Sequence, residues 1–582
     1  MFEGKLDLRL IHPFPEPRPE DLAKAAPLLE RLEKFVLEKV DSDAIDRDGK
    51  IPLDVIEGLR EIGAFGIKIP ESYGGQGLSQ LMYTRAISLV SSVDANLTAL
   101  LSASQSIGVP QPLKLFGTDD QKKKYFPRLA KGAISAFALT ENSAGSDPAG
   151  LSTTAKLSDD GKHWILNGEK LWCTNGTIAE VMVVMARTGP KKITAFIVEA
   201  AWPGVEVVRR LHFMGLRALE NGILKFHDVK VPVENVLWGE GKGLKLALIT
   251  LNTGRLTLPA SCVTGAKRCL EIARKWGAER IQWGQPIGKH DAIAQKIGRM
   301  ASEVFTMEAV SDLCSLLSDR PKTDIRLEAA VAKMWNSEVG WRIVDDTLQI
   351  KGGRGYETAD SLRSRGERPD PVERAMRDWR INLIFEGSSE IMRLFIAREA
   401  VDTHLKVAGD LIDPKSSAGK KLASFVRAGL FYAVWYPKQY LGWGMWPRYA
   451  EFGVLAKHLR FVNRASRRLA RSLFHAMIRF GPKLEKKQSV LFRMVEIGAE
   501  LFAISAACAK AQLLVKKDPR NRAPVELADL FCQQATWRVI VKFEEIFANA
   551  DDQAYRLAQE VIANQHVWLE EGIAGWEGKK KA

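Results

Sequence analysis

The hydrophobic residues of this chain change their period twice within the first 400 positions, and neither a plain helical bundle nor a plain sheet can satisfy both patterns. Over residues 1–132 they recur at three- and four-residue spacing, as in Asp21–Val40 and Ile51–Gly63, which predicts amphipathic helices. Over residues 133–242 they form short β-rich runs, among them HWILNGEKLW, VMVVMAR, ITAFIVEA, VEVVRRL and ILKFHDVKV. Asp159-Asp160-Gly161 predicts a hairpin between two strands. Five or more such runs suggest a small barrel or sandwich. Helical spacing returns over 243–409, broken by a Gly/Pro/Arg-rich insertion at Lys351–Pro371. Residues 410–420 read as a linker and 421–582 as a further helical domain. The expected fold is mainly α with a central β domain.

At 582 residues the chain is long enough for several cores, and 46% hydrophobic with 26% charged residues is a globular balance. No apolar run reaches the roughly 18–20 residues of a membrane span. The start, MFEGKLDLRLIHPFPEP, has no apolar signal core and no Arg-rich presequence, so a bacterial cytoplasm is expected. A processed mitochondrial matrix protein would read the same way. Six cysteines without a CxxC pair suggest free thiols. The His/Cys/carboxylate spacing suggests no metal site.

Four segments carry candidate chemistry. Phe137–Asp147 (FALTENSAGSD) enters a Gly/Ser turn whose N–H groups and hydroxyls can approach an anion or a ring edge; taken alone, its turn chemistry favours an ordinary loop. Trp172–Gly176 (WCTNG) can wall a flat cofactor, or simply end a strand in an Asn-Gly turn. Gln349–Tyr356 (QIKGGRGY) can cradle a pyrophosphate, or simply end a helix. In Ile384–Leu394 (IFEGSSEIMRL), Glu386 precedes a helix that Ser388 or Ser389 can cap. A carboxylate there becomes a useful base if its pocket is dry, or remains a first-turn acid favoured by the helix dipole.

Joint order is more specific than any one segment. FALTENSAGSD, WILNGEKLWCTNG, AERIQWGQPIG at 278–288, QIKGGRGY and RINLIFEGSSEIMRL occur in the order found in the acyl-CoA dehydrogenases, which the chain resembles over roughly residues 30–400. The resemblance implies that family's fold of helical bundle, β-barrel and helical bundle. It also implies FAD and α,β-dehydrogenation of acyl-CoA thioesters to trans-2-enoyl-CoA in fatty acid β-oxidation. Glu386 falls on the family's base, which takes the α-proton. Some members carry the base near this chain's Gly254–Arg255, but LNTGRLT holds no carboxylate.

By the same resemblance Phe137, Leu139, Thr140, Gly145 and Ser146 line one edge of the flavin and its pyrophosphate, and Trp172 and Thr174 cover the other side. Arg280, Trp283, Gln349, Gly352 and Gly353 hold the adenosine–pyrophosphate end, partly across a subunit interface. Ser388 and Glu390 touch flavin or adenine, while Ser146 and Arg255 lie toward the substrate. Trp283 stands where Phe is commoner. Electrons would pass to an electron-transfer flavoprotein. Two alternatives are an acyl-CoA oxidase using O₂ and an assembly or scaffold protein on the same fold.

The formal net charge of +14 lies mostly beyond residue 400, where 29 Lys/Arg face 18 Asp/Glu. Lys421–Val490 alone holds 14 Lys/Arg against two acidic residues. Leu455, Leu459, Val462, Leu469, Leu473, Met477 and Phe480 fall on one helical face, with Arg464, Arg468, Arg471, His475 and Arg479 on another. Trp435, Trp443 and Trp446 lie just before. This composition suits an anionic membrane surface bound through 421–490, peripheral to the inner face; the alternative is an apolar face packed inside the domain. Nucleic acid is not expected, because no reader motif is present. The extra length and its helical plan resemble the very-long-chain branch, whose members are homodimers.

Overall fold

The computed structural model describes residues 1–321, 323–412, 416–441 and 448–575. Helices form the N-terminal part, including Pro19–Lys39, Gln80–Ser91 and Ala95–Ser102. Their starts are written in local chemistry. Ser79 accepts from the Met82 N–H and Asp94 from the Leu97 N–H, while Thr118 and Gln121 form a reciprocal capping box. A π-helical turn, Ala103–Ile107, leads out of Ala95–Ser102.

Eight strands follow: β1 (Ser135–Ala138), β2 (Thr154–Leu157), β3 (His163–Thr174), β4 (Val181–Gly189), β5 (Lys192–Glu199), β6 (Val205–Arg210), β7 (Asn221–Pro232) and β8 (Val236–Leu237). They make one sheet in the order β6-β7-β3-β2-β4-β5-β8, with β1 parallel to β4. The unbroken apolar run of β4 follows from burial on both faces. Val181, Val183 and Met185 meet Val109, Leu113 and Phe126 of the N-terminal helices. Met182, Val184 and Ala186 share the opposite core with Leu166, Phe196 and Phe226.

Three long helices, Gly243–Glu279, Asp291–Ser318 and Arg326–Lys351, and a fourth, Ser389–Ile412, complete the support of the site. A two-residue ribbon, β9 (Ile281–Gln282) with β10 (Gln285–Pro286), carries Trp283 at its tip. The C-terminal helices Ala456–Phe480, Gln488–Lys517 and Ala523–Glu545 belong to the same hydrophobic core as these. Trp335 meets Phe531 edge-on at 5.7 Å, and Lys510 reaches Glu308 at 2.9 Å and Asp312 at 3.0 Å. Of the expected linker 410–420, residues 410–412 are helical and a new helix starts at Ala418, while 413–415 lie outside the described residues. All six cysteines are buried free thiols.

The amphipathic helix of the basic segment does not present its apolar face to the outside. Leu455, Leu459, Val462, Leu469 and Leu473 are fully buried in the core, and Met477 and Phe480 pack against it. Its cationic face is also engaged. Arg468 pairs with Glu544 at 2.7 Å and lies over the Phe543 ring; Arg471 donates to the Gln439 carbonyl and lies over Tyr440. His475 meets the Tyr436 hydroxyl at 2.8 Å. The exposed apolar row is on the neighbouring helix Ala418–Leu441, at Leu422, Phe425, Val426, Leu430, Val434 and Leu441, each 55–71% exposed. Trp435 packs edge-on to His404, and Trp443 and Trp446 lie outside the described residues.

Leu469→Ala should therefore cost about 2–5 kcal/mol of stability, the range for a buried leucine. Leu430→Ala, on the exposed row, should stay within about 0.5 kcal/mol. Denaturant titration of both variants checks this assignment of faces; equal costs would reverse it.

Candidate active site

Glu386 sits at a backbone conformation that an acidic residue rarely adopts, with φ +55°, followed by Gly387 at φ +96°. Ser388 then caps the helix Ser389–Ile412 by accepting from the Ile391 N–H at 3.4 Å. With that cap filled by a serine, the carboxylate is free to face the other way, into a cavity of about 1250 Å³. Among the described residues, Glu386 Oε2 is buried without a hydrogen-bond partner.

Two cations flank it. Lys333, fully buried in the helix Arg326–Lys351, donates from Nζ to the Gly387 carbonyl at 2.6 Å. Arg255, on the helix Gly243–Glu279, donates to Asn252 Oδ1 at 3.0 Å and lies 5.2 Å from the Phe395 ring centre. Burial pushes the Glu386 carboxyl up to about 7, against the pull of Lys333 and then of Arg255. Burial likewise takes the Lys333 ammonium down to about 8, against the pull of Glu386. Near neutral pH the site thus holds a carboxylate poised to exchange a proton beside a lysine that remains largely charged.

A side chain at position 254 would have to displace the Glu386 carboxylate. A Cβ there would come within 2.8 Å of Glu386 Oε2 and 2.9 Å of Ile107 Cγ2.

The opposite wall comes from the β domain. A bulge in β3, between Lys170 and Cys173, puts Trp172 at φ +54° on the cavity wall, 56% exposed. Phe137, Leu139, Thr140, Gly145, Ser146 and Thr174 line the same space. The loop is held from behind by a buried ion pair. Lys170 Nζ donates to Glu141 Oε1 at 2.6 Å and to the Leu139 carbonyl at 3.2 Å, while Glu141 also accepts the Ser152 and Thr153 N–H groups. Burial would raise the Glu141 carboxyl, but Lys170 and the hydrogen bonds outweigh it and hold it at about 2.

These residues fit a flavin. The indole offers a flat wall and Thr140 and Ser146 offer hydroxyls. Even a Cβ added at Gly145 would touch nothing within 4 Å, so the turn can take a large group.

The residues expected from the sequence fall into two clusters. Phe137, Leu139, Thr140, Gly145, Ser146, Trp172, Thr174, Arg255, Glu386 and Ser388 share the cavity. Arg280, Trp283, Gln349, Gly352 and Gly353 do not line it in the same chain, and neither does Glu390, which stands apart from both clusters in the first turn of Ser389–Ile412. Arg280 and the 351–354 turn instead surround Trp276, with Arg280 at 5.9 Å, Lys351 at 4.2 Å and Arg354 at 5.4 Å from the ring centre. Trp283 is 89% exposed beside them. Sequence reading missed Lys333 and the Glu141–Lys170 pair. The one signal for Lys333 was a charge inside the apolar helical run AAVAKMW.

Comparison with known proteins agrees with this arrangement. Family models of the acyl-CoA dehydrogenase N-terminal, middle and C-terminal domains match residues 24–133, 136–229 and 241–401. The Mycobacterium tuberculosis protein named "Probable acyl-CoA dehydrogenase FadE10" is 52% identical over 98% of this chain and 89% of its own length. The chain belongs to the acyl-CoA dehydrogenase family. The bovine mitochondrial very long-chain specific acyl-CoA dehydrogenase is 32% identical over 92% of this chain and 82% of its own. A crystal structure of a Bacillus anthracis acyl-CoA dehydrogenase complexed with FAD superposes with TM-score 0.76 at 28% identity, covering 96% of this chain and 94% of that one. The likeness to these two extends through the C-terminal helices that the family models do not reach.

In an acyl-CoA dehydrogenase whose base works ionised, protonation of Glu386 should lower kcat/KM below about pH 7, by about tenfold per pH unit once the acid form dominates. Lys333→Met removes a cation that favours the carboxylate, so this acidic limb should move to higher pH, with at least a tenfold loss at pH 7. Lys333→Arg should largely restore it. A limb that stays in place while only kcat drops would leave Lys333 a packing role.

Proposed function

We propose that the chain is an FAD-dependent acyl-CoA dehydrogenase that oxidises long acyl chains at Cα–Cβ, with Glu386 as its base. One observation carries the reading: a dry, unpartnered carboxylate with its acidity tuned near neutrality borders a large cavity whose other wall suits a flavin. FAD, the cofactor of the family, supplies the two-electron acceptor when bound. Phe137, Leu139, Thr140, Gly145, Ser146, Trp172, Thr174 and Ser388 would hold it.

The residues of the chain do the rest. Glu386 takes the α-proton, and the dry pocket gives the carboxylate the basicity this requires. Among the described residues no backbone carbonyl accepts the Glu386 N–H, which leaves it available to the thioester oxygen as charge develops there. Arg255 and Lys333 keep the carboxylate ionised between turnovers. The long-chain reading rests on short side chains at Ala95, Ala99 and Ser261, which line the cavity beyond the reacting end, and on the likeness to the bovine relative.

An electron-transfer flavoprotein is the proposed acceptor; release of hydrogen peroxide during turnover would assign an oxidase instead. The retained Glu386 and flavin wall weigh against a scaffold protein. A homodimer accounts for the second cluster of expected residues. Arg280, Trp283, Gln349, Gly352 and Gly353 are accessible on one chain and would complete the flavin site of its partner. An anionic membrane surface is proposed to meet the exposed row Leu422–Leu441, set in a segment with a net charge of +12.

Glu386→Gln should keep bound, yellow flavin while losing anaerobic bleaching by acyl-CoA by at least a thousandfold in rate; unchanged bleaching would overturn the assignment of the base. The membrane reading is checked by sedimentation with anionic vesicles. Phe425→Glu with Leu430→Glu should abolish pelleting and leave bleaching intact. Pelleting equal to that of the unsubstituted protein would remove this helix from the contact.

A further inference from the structure

The cavity does not end where an enclosed alkyl chain would. Two helices flank it. On the helix Gly243–Glu279 the lining residues recur every three or four positions, among them Arg255, Leu258, Ser261 and Arg268. Across from them runs Ala95–Ser102 with its π turn, and the two are tied at both ends. At the reacting end Ile107 and Glu386 both crowd the Cβ position of Gly254, and Ser106 bonds Thr257 at 3.0 Å. At the far end Arg268 donates to the Ser92 carbonyl at 3.3 Å and Ser91 to the Ser261 carbonyl at 3.5 Å. Between these ties the lining residues include Ala95, Ala99 and Ser261, whose side chains are too short to plug the space. From Arg255 to Arg268 the helix rises about 20 Å. That is about the length of an extended 16-carbon chain, at roughly 1.25 Å per carbon along a zig-zag of 1.5 Å bonds.

The far end is polar and wet. Ser91, Ser92 and Arg268 line it, and the Arg268 side chain is 49% exposed. Arg268 and Lys275 share a single carboxylate, Glu271, each at 2.6 Å. A blind apolar pocket would strand an oxygen at the chain end without a partner. This exit supplies hydroxyls, a guanidinium and water.

We propose that the acyl tunnel is open at its far end and accepts acyl-CoA thioesters whose ω carbon bears an oxygen, as a hydroxyl or a carboxylate. The inference rests on the acyl-CoA reading above and deepens it. The reaction at Cα–Cβ is unchanged; the ω oxygen is only bound, and no further bond is made or broken.

The test is anaerobic flavin bleaching of the full-length holoenzyme by octanoyl-, hexadecanoyl-, 16-hydroxyhexadecanoyl- and 15-carboxypentadecanoyl-CoA. Both ω-oxygenated chains should bleach the flavin within about threefold of the hexadecanoyl rate at subsaturating substrate. In Arg268→Leu the ratio of ω-carboxy to hexadecanoyl rate should fall about tenfold. Ala99→Phe should block all three 16-carbon chains while octanoyl-CoA still bleaches, which shows that the variant is folded and loaded. Loss of tenfold or more for both ω-oxygenated chains in the unsubstituted enzyme, with hexadecanoyl-CoA active, would mean a closed end and overturn the inference alone. Inactivity of octanoyl- and hexadecanoyl-CoA as well would overturn the acyl-CoA reading, and this inference with it.

Discussion

The bond from Lys333 Nζ to the Gly387 carbonyl ties a helix of the core to the turn that carries Glu386. The turn needs such a tie because two consecutive residues hold positive φ, one of them not glycine. The same ammonium is one of the two cations that keep the neighbouring carboxylate ionisable in a dry site. A directly paired cation and hydrogen bonds would also keep it ionised, as Lys170 and the Ser152 and Thr153 N–H groups do for Glu141, but they would drive its basicity away. Glu141 and Glu386 are thus opposite solutions to burying an acid. One is fully satisfied and structural; the other has an unpartnered oxygen and is left reactive.

Packing behind the turn explains why it stays in place. The indole of Trp379, a few residues upstream, donates to the Ser337 carbonyl at 3.0 Å and fills the space over Gly265 and Gly340. Those glycines lie on the two helices that supply Arg255 and Lys333, so a single wedge sets the spacing of both cations and the entry to the base. A side chain at either glycine would meet the ring, so the small residues there are required by contact.

The two changes of hydrophobic period were enough to read helices, β unit and helices, because periodicity reports which face is buried. They could not say how many separate cores result. The C-terminal helices look independent in sequence, yet Phe531 and Lys510 join them to Trp335, Glu308 and Asp312 across hundreds of residues of separation. At the site, residues in short motifs were legible, since a turn or cap must be encoded locally. Lys333 was not, because a buried lysine in AAVAKMW acquires its purpose only from a carbonyl 54 residues away. Nor could local reading divide the motif residues between the cavity and the Trp276 surface, because that division depends on tertiary distance.

The basic segment shows why charge counts alone do not locate a contact. Helix Ala456–Phe480 has the stronger amphipathic pattern and the denser arginines, and for that reason it is consumed by the fold: its leucines build the core, and Arg468 and Arg471 bond or stack against the flanking helices. Its neighbour Ala418–Leu441 has a weaker pattern, with apolar residues on more than one face. One face meets His404 and Phe474 through Tyr432 and Trp435, and the surplus remains outside. A helix available to a partner is one whose apolar residues exceed what its own core can cover. In this segment that excess, and not the most regular amphipathic stripe, is the apolar surface left exposed.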